Sequence, residues 1–179
     1  MDLKALEDIR NLSIKYNAQL LPVIKDKKFE DIKKVYDSGF REFGENRLEQ
    51  LYDHKAKLKD AKFHYIAPLQ SRKIQEIMDN SICIQTLSRK KEAIIINENY
   101  SNQNIYVQIN IDNDPNKSGI KVNEVDLFFN MFDKLKYFPV GIMCIPSKES
   151  DPKITFSNMQ KINQNIKNNY KNYSEGLSM

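Results

Sequence analysis

Leu20-Leu21-Pro22-Val23-Ile24-Lys25-Asp26-Lys27-Lys28 is an apolar run that ends in a lysine and gives way to a fully polar stretch. A short apolar run of this kind suits a buried strand, so the reading expects strand one over residues 20–24. Lys25 then stands at the carboxyl end of that strand, its stem among apolar neighbours and its amine facing a pocket. Desolvation in such a place favours the neutral amine, the form that attacks an aldehyde to make a Schiff base. The plainer alternative is that Lys25 marks where the strand meets water, as most lysines do.

The chain on either side decides the fold class. Leu3, Leu6, Ile9 and Leu12 recur at helical spacing, predicting an amphipathic helix over residues 2–17. Phe29, Ile32, Val35 and Tyr36 give a second helical stripe, closed by Ser38-Gly39, where glycine suits a left-handed cap. Further strands are predicted at 40–43, 63–66, 81–85, 105–110 and 138–145, with a seventh beginning at Gly176. Helices are predicted between them, at 47–59, 72–78, 88–99, from Val122 to Phe132, and at 153–170. Strands alternating with helices argue for right-handed βαβ units and a parallel sheet. No GxGxxG follows strand one and no phosphate-binding P-loop occurs, which weighs against a nucleotide-binding open sheet. Lys25, Asn46, Gln70, Asn110 and Pro146 all follow strands. A (β/α) barrel gathers such residues on one face, so the TIM-type barrel is the expected architecture.

Composition agrees with an ordinary globular α/β domain spanning residues 1–179. Hydrophobic residues make up 40% and charged residues 29%, and the net charge of +4 is scattered rather than gathered into a basic block. Nucleic acid is therefore not an expected partner. No run approaches the ~20 apolar residues of a membrane span, and residues 1–17 do not resemble a signal peptide, so the expected location is the cytoplasm. Cys83 and Cys144 each sit inside an apolar run, as buried reduced thiols do, and no paired spacing suggests a metal site.

Read in order, Val23-Ile24-Lys25-Asp26-Lys27, Phe43-Gly44-Glu45-Asn46, His64-Tyr65-Ile66-Ala67-Pro68-Leu69-Gln70-Ser71-Arg72-Lys73, Gln108-Ile109-Asn110, Lys117-Ser118-Gly119-Ile120, Gly141-Ile142-Met143 and Leu177-Ser178-Met179 form a series. It resembles the pyridoxal phosphate homeostasis proteins, which have the alanine racemase N-terminal barrel fold. The resemblance runs through essentially the whole chain. It implies that Lys25 forms a Schiff base with pyridoxal 5′-phosphate, and that the chain binds and hands over this cofactor without an established turnover. Recipients would be apoenzymes that depend on the cofactor. Asn46, His64, Asn110, Met143 and Ser178 are the other implied cofactor-binding residues. The residues themselves leave alternatives: Asn46 as a cap on helix 47–59, His64 as a core histidine, Met143 as core packing, and Lys27 and Lys117 as solvated lysines or secondary amines.

Two departures stand beside the resemblance. Arg72 occupies a position where the family usually has asparagine, and it either pairs with a phosphate or faces solvent. The family's seventh strand leads into a turn, a helix and an eighth strand that supply the phosphate cup, whereas this sequence ends at Met179. The expectation is a barrel lacking its last β/α unit, compatible with a gene remnant, a fragment, or completion by another chain. A degenerate member without cofactor and, further off, a fold-related racemase or decarboxylase are the competing functions.

Overall fold

A computed structural model of the chain describes residues 2–179. They form two compact units dividing after His64. The amino-terminal unit holds α1 (Leu3–Lys15), α2 (Phe29–Asp37), β1 (Glu42–Glu45), α3 (Leu48–Lys57) and β2 (Lys62–Tyr65), the last crossing the division. Helix α1 starts where it does because Asp2 accepts from the Lys4 and Ala5 N–H groups, at 3.0 and 3.1 Å. The stripe that marks it in the sequence is not buried: Leu3, Ile9 and Leu12 are exposed, and no residue of α1 is buried. Arg10 instead lays its guanidinium over the Phe40 ring, 4.8 Å from the centroid. Helix α2 buries Ile32 and Val35, and Gly39 follows it at φ +99°, as the capping pattern anticipated.

The predicted strand over 20–24 is corrected. Residues 20–24 run beside β1 but make one isolated parallel bridge, Val23 to Gly44. The Gly44 N–H donates to the Pro22 carbonyl at 2.9 Å and the Ile24 N–H to the Gly44 carbonyl at 3.0 Å. Pro22 has no N–H to extend the ladder, and a tight turn begins at once after Ile24. Strand β1 itself starts two residues later than predicted, at Glu42, and pairs with β2.

The carboxyl-terminal unit contains α4 (Ile74–Asn80), β3 (Cys83–Leu87), α5 (Lys90–Asn99), β4 (Asn104–Asn110), β5 (Ile120–Lys121), α6 (Val125–Phe129), β6 (Gly141–Met143), α7 (Pro152–Asn169) and β7 (Gly176–Ser178). Its strands run in the order β3-β4-β6-β7, all parallel, with β5 attached to the end of β4. Strand β5 was not anticipated, since two residues carry no periodicity. The predicted helix from Val122 to Phe132 breaks into a 3₁₀ turn (Val122–Glu124), α6 and a second 3₁₀ turn (Phe132–Lys134). Its aromatic stripe is nonetheless core. Phe129 meets Phe132, Phe138, Tyr170 and Tyr173 with ring centroids 5.7 to 6.2 Å apart. The predicted strand over 138–145 shortens to Gly141–Met143, bracketed by Pro139 and Pro146.

Register across β4, β6 and β7 sets up two transverse rows. Tyr106, Gly141 and Gly176 form one, and Gln108, Met143 and Ser178 the next but one, towards the strands' carboxyl ends. Alternation puts both rows on the same face. The two glycines make room for the tyrosine: a Cβ on Gly141 would lie 2.2 Å from the Gly176 oxygen and 2.6 Å from Tyr106 Cε1. The Ser178 hydroxyl donates to Gln85 Oε1 of β3 at 2.7 Å. Strands β3 and β7 are three positions apart, roughly 14 Å in a flat sheet at about 4.8 Å per strand. A direct hydrogen bond between their side chains requires the sheet to curl, with these rows on its concave face.

Replacing Gly141 by alanine is expected to lower the thermal midpoint by several degrees, equivalent to about 2 kcal/mol or more, because backbone must give way. Calorimetry on Gly141→Ala, with an exposed control such as Lys148→Ala at no change, checks this.

Candidate ligand-binding residues

Lys25 lies at the start of a turn closed by the Lys27 N–H donating to the Ile24 carbonyl at 3.2 Å. Asp26 takes the left-handed conformation in it, at φ +58°. The turn follows directly on the Val23–Gly44 bridge, so backbone pairing fixes where the Lys25 Cα sits. The side chain is exposed, not buried. The neighbouring carboxylate is already engaged, Asp26 pairing with Arg47 at 3.1 Å. The desolvated setting foreseen for this lysine is thus absent, while a reachable amine is present.

Asn46 follows β1 directly. It does not cap the following helix: Arg47 stands at the N-cap of α3, without a side-chain cap bond. The Asn46 side-chain oxygen is buried with no hydrogen-bond partner, which leaves an acceptor available for a ligand. Its backbone is held by Glu45, whose fully buried carboxylate accepts from the Asn46 N–H at 2.7 Å and the Arg47 N–H at 3.1 Å. The other Glu45 oxygen faces His54 Nδ1 of α3 at 3.3 Å. Glu45 and His54 position this turn, and neither stood out in the sequence, where both look like surface charges.

His64 is committed to a carboxylate, its Nε2 lying 3.1 Å from Glu42 Oε2. The same oxygen accepts from Gln19 Nε2 at 2.9 Å. Burial pushes the His64 imidazole below its ordinary 6.5, with Glu42 pulling the other way.

In the carboxyl-terminal unit, Asn110 staples the loop that follows β4. Its amide nitrogen donates to the carbonyls of Asp114 (2.8 Å) and Lys117 (3.3 Å), and its oxygen accepts from the Asp114 N–H at 3.0 Å. Asparagine at a strand end closes its own loop more readily than it reaches outward. Gly119, at φ +124°, ends that loop with no room for a Cβ, which would lie 2.6 Å from the Asn110 nitrogen. Lys117 is half-buried and donates to the Ile145 carbonyl at 3.2 Å, with Asp112 at 3.8 Å, so it is not a solvated lysine. Asp112 in turn accepts from the Ser147 N–H at 2.6 Å and the Ser150 hydroxyl at 2.8 Å, joining the loops after β4 and β6. Met143 is buried at the end of β6, and Ser178 lies beside it on β7. Arg72 is exposed in the 3₁₀ turn before α4. Cys83 and Cys144 are buried free thiols, and burial pushes that of Cys144 up to about 11. The concave row also contains Gln108, which belongs to the motif series but is not among the implied binding residues; a glutamine between Val107 and Ile109 was the available signal.

Residues 3–175 match the alanine racemase N-terminal domain as a sequence family. The chain belongs to the alanine racemase N-terminal domain family. Within it, the curated relatives are pyridoxal phosphate homeostasis proteins, as the series of motifs indicated. That of Pasteurella multocida strain Pm70 is 34% identical over 142 residues, 74% of this chain and 61% of the relative. The matches to the Pasteurella, Buchnera aphidicola and Haemophilus influenzae relatives cover 61%, 66% and 58% of their lengths, so the chain spans about three fifths of them. Among solved structures, PipY of Synechococcus elongatus PCC7942 without PLP superposes with a TM-score of 0.83 at 22% identity, over 96% of this chain and 87% of that one. The structure of the same protein with PLP bound gives 0.79 at 20% identity, with the same coverage. The fold is therefore of the alanine racemase N-terminal, (β/α)-barrel type. No helix among the described residues is long and apolar enough to cross a membrane.

The pH dependence of stability follows from His64. Its native imidazole resists protonation more than the unfolded one, so its contribution is whole above about 6.5 and is lost as pH falls below that value. Urea midpoints at pH 7.5 and 5.5 are expected to fall on acidification by less in His64→Gln than in the parent chain.

Proposed function

We propose that this chain binds pyridoxal 5′-phosphate with Lys25 as its covalent anchor and serves in vitamin B6 homeostasis as a carrier rather than as an enzyme. The observation that carries the reading is the 34% identity over 142 residues to a pyridoxal phosphate homeostasis protein. The cofactor supplies an aldehyde, which a primary amine takes as a Schiff base with loss of one water.

The residues present fit such a ligand. Lys25 offers an exposed amine on a turn pinned to β1. The unpartnered oxygen of Asn46 offers an acceptor, held in place through Glu45. In the carboxyl-terminal unit, taken by itself, Met143 is an apolar side chain of the kind that packs against a flat ring, and Ser178 has a hydroxyl whose present acceptor is Gln85. His64 and Asn110 act at one remove, the first by bracing β2 against β1 through Glu42 and the second by closing its loop. Lys117, held between the ends of β4 and β6, is fixed by its carbonyl and carboxylate partners. The recipients are proposed to be apoenzymes that use the cofactor, and the setting is proposed to be the cytoplasm.

Titration of the purified chain with pyridoxal 5′-phosphate is expected to give a saturable long-wavelength absorbance band. Lys25→Ala is expected to abolish it, and Lys27→Ala to weaken it a few-fold at most. A Lys25→Ala protein that keeps the full band would overturn the assignment, and a parent chain with no saturable band would overturn cofactor binding itself.

A further inference from the structure

We propose that the exposed apolar face of α1 is a self-association surface, on which a second copy of this chain lays its own α1 antiparallel to form a two-fold symmetric dimer.

The first observation is an apolar face left open. Leu3, Leu6, Ile9 and Leu12 recur every three residues, a spacing that drifts by about 60° per step around a helix, so they do not share one side. Ala5, Ile9, Leu12 and Tyr16 do. Their steps of four, three and four keep them in one stripe, as in the seam of a coiled coil. All four are exposed, Ile9 by 52%, Leu12 by 54% and Tyr16 by 71%. The helix rests on its unit through a different side, with Leu6, Arg10 and Ser13 half-buried and Arg10 over the Phe40 ring. Single exposed apolar residues are ordinary, but an ordered row of them along one helix face marks a contact surface.

The second observation is how the stripe fits a copy of itself. Antiparallel pairing brings Ala5 against Tyr16 of the second copy and Ile9 against Leu12 of the second copy, each contact occurring twice. Small meets large at the ends and two branched aliphatic side chains meet in the middle, so the layers fill evenly. A parallel pair would set tyrosine against tyrosine at one end and alanine against alanine at the other, leaving a gap there.

The third is charge. Asp8 and Lys15 flank the stripe on one side, each directly before a seam residue, and both are exposed. Residues so placed meet across an antiparallel seam. Asp8 of each copy therefore lies beside Lys15 of the other, giving two opposite-charge pairs related by the two-fold axis. In a parallel pair Asp8 would face Ser13 and the attraction would be lost. Antiparallel helices also set the positive end of one macrodipole beside the negative end of the other.

The size of the surface sets the strength. Helix α1 has 13 residues and is about 20 Å long. Two helices touching over that length bury less than the ~1,200 Å² at the lower limit of standard specific interfaces. The dimer is accordingly weak, with a dissociation constant of roughly 10–100 µM.

The test is sedimentation velocity on the full chain, from well below to well above that constant, without pyridoxal 5′-phosphate so that the outcome is independent of the proposed function. The parent is expected to pass from monomer to dimer over this range. Ile9→Gln, with Leu12→Gln as its duplicate, is expected to keep the parent's thermal midpoint at low concentration and to weaken association roughly tenfold or more. Asp8→Lys and Lys15→Glu set like charges side by side, so each is expected to weaken self-association roughly fivefold. An equimolar mixture of these two variants is expected to recover the parent's affinity, because the mixed pair has opposite charges at both positions. A parent that stays monomeric throughout overturns the inference. So does a dimer that both glutamine variants leave intact, since its interface lies elsewhere, and so does a mixture that fails to recover, since the antiparallel register is then wrong. Glutamine variants with lowered midpoints at low concentration overturn it too, by showing that the same chain covers the stripe.

Discussion

The carboxyl-terminal unit depends on the close approach of β6 to β7 beneath the ring of Tyr106. Two glycines allow it, since a Cβ at Gly141 would overlap the Gly176 carbonyl and the tyrosine ring. With that layer filled by one aromatic side chain, the next layer towards the carboxyl ends is left to Gln108, Met143 and Ser178. The curl that brings Ser178 within 2.7 Å of Gln85 completes a concave surface from strands that are not neighbours. Packing below thus decides which side chains are presented above.

In the amino-terminal unit the constraint is of another kind. A single bridge, Val23 to Gly44, and a turn with Asp26 in the left-handed region hold Lys25. A left-handed aspartate carries a modest conformational cost, and the Asp26–Arg47 pair helps to hold it there. The buried Glu45 secures the adjacent turn by accepting two backbone N–H groups, so that the orientation of Asn46 follows from a carboxylate rather than from a helix cap. Polar groups with fixed backbones and unspent hydrogen-bonding capacity, Asn46 and Gln108, are the features a ligand can use. They also subtract from stability, a trade usual at binding sites.

Much of the architecture was legible in the sequence because it rests on local rules. Helices α1, α2, α3, α5 and α7 follow from their spacing and flanking residues, and the parallel sheet from the alternation of strands with helices. The errors cluster where hydrogen-bond geometry overrules apolar content. Residues 20–24 have the composition of a strand, but Pro22 and the immediate turn restrict them to one bridge. Residues 138–145 lose both ends beside prolines. The stripe of α1 is helical but exposed, since periodicity reports a possible buried face and not what lies against it.

The site residues divide along the same line. The sequence by itself determined that the chain has the β/α pattern of its family, that Lys25 ends the first apolar run, and that the motif series around it runs through the whole chain, because these are matters of residue type and order. Only the tertiary structure decided which of the singled-out polar residues have hydrogen-bonding capacity to spare. Asn110 and His64 use theirs within their own loop and with Glu42, while Asn46 and Gln108 retain a buried oxygen without a partner. The physical reason is that partnership of a polar side chain is fixed by what the fold brings within about 3 Å of it, and that distance is not written in any local stretch of sequence.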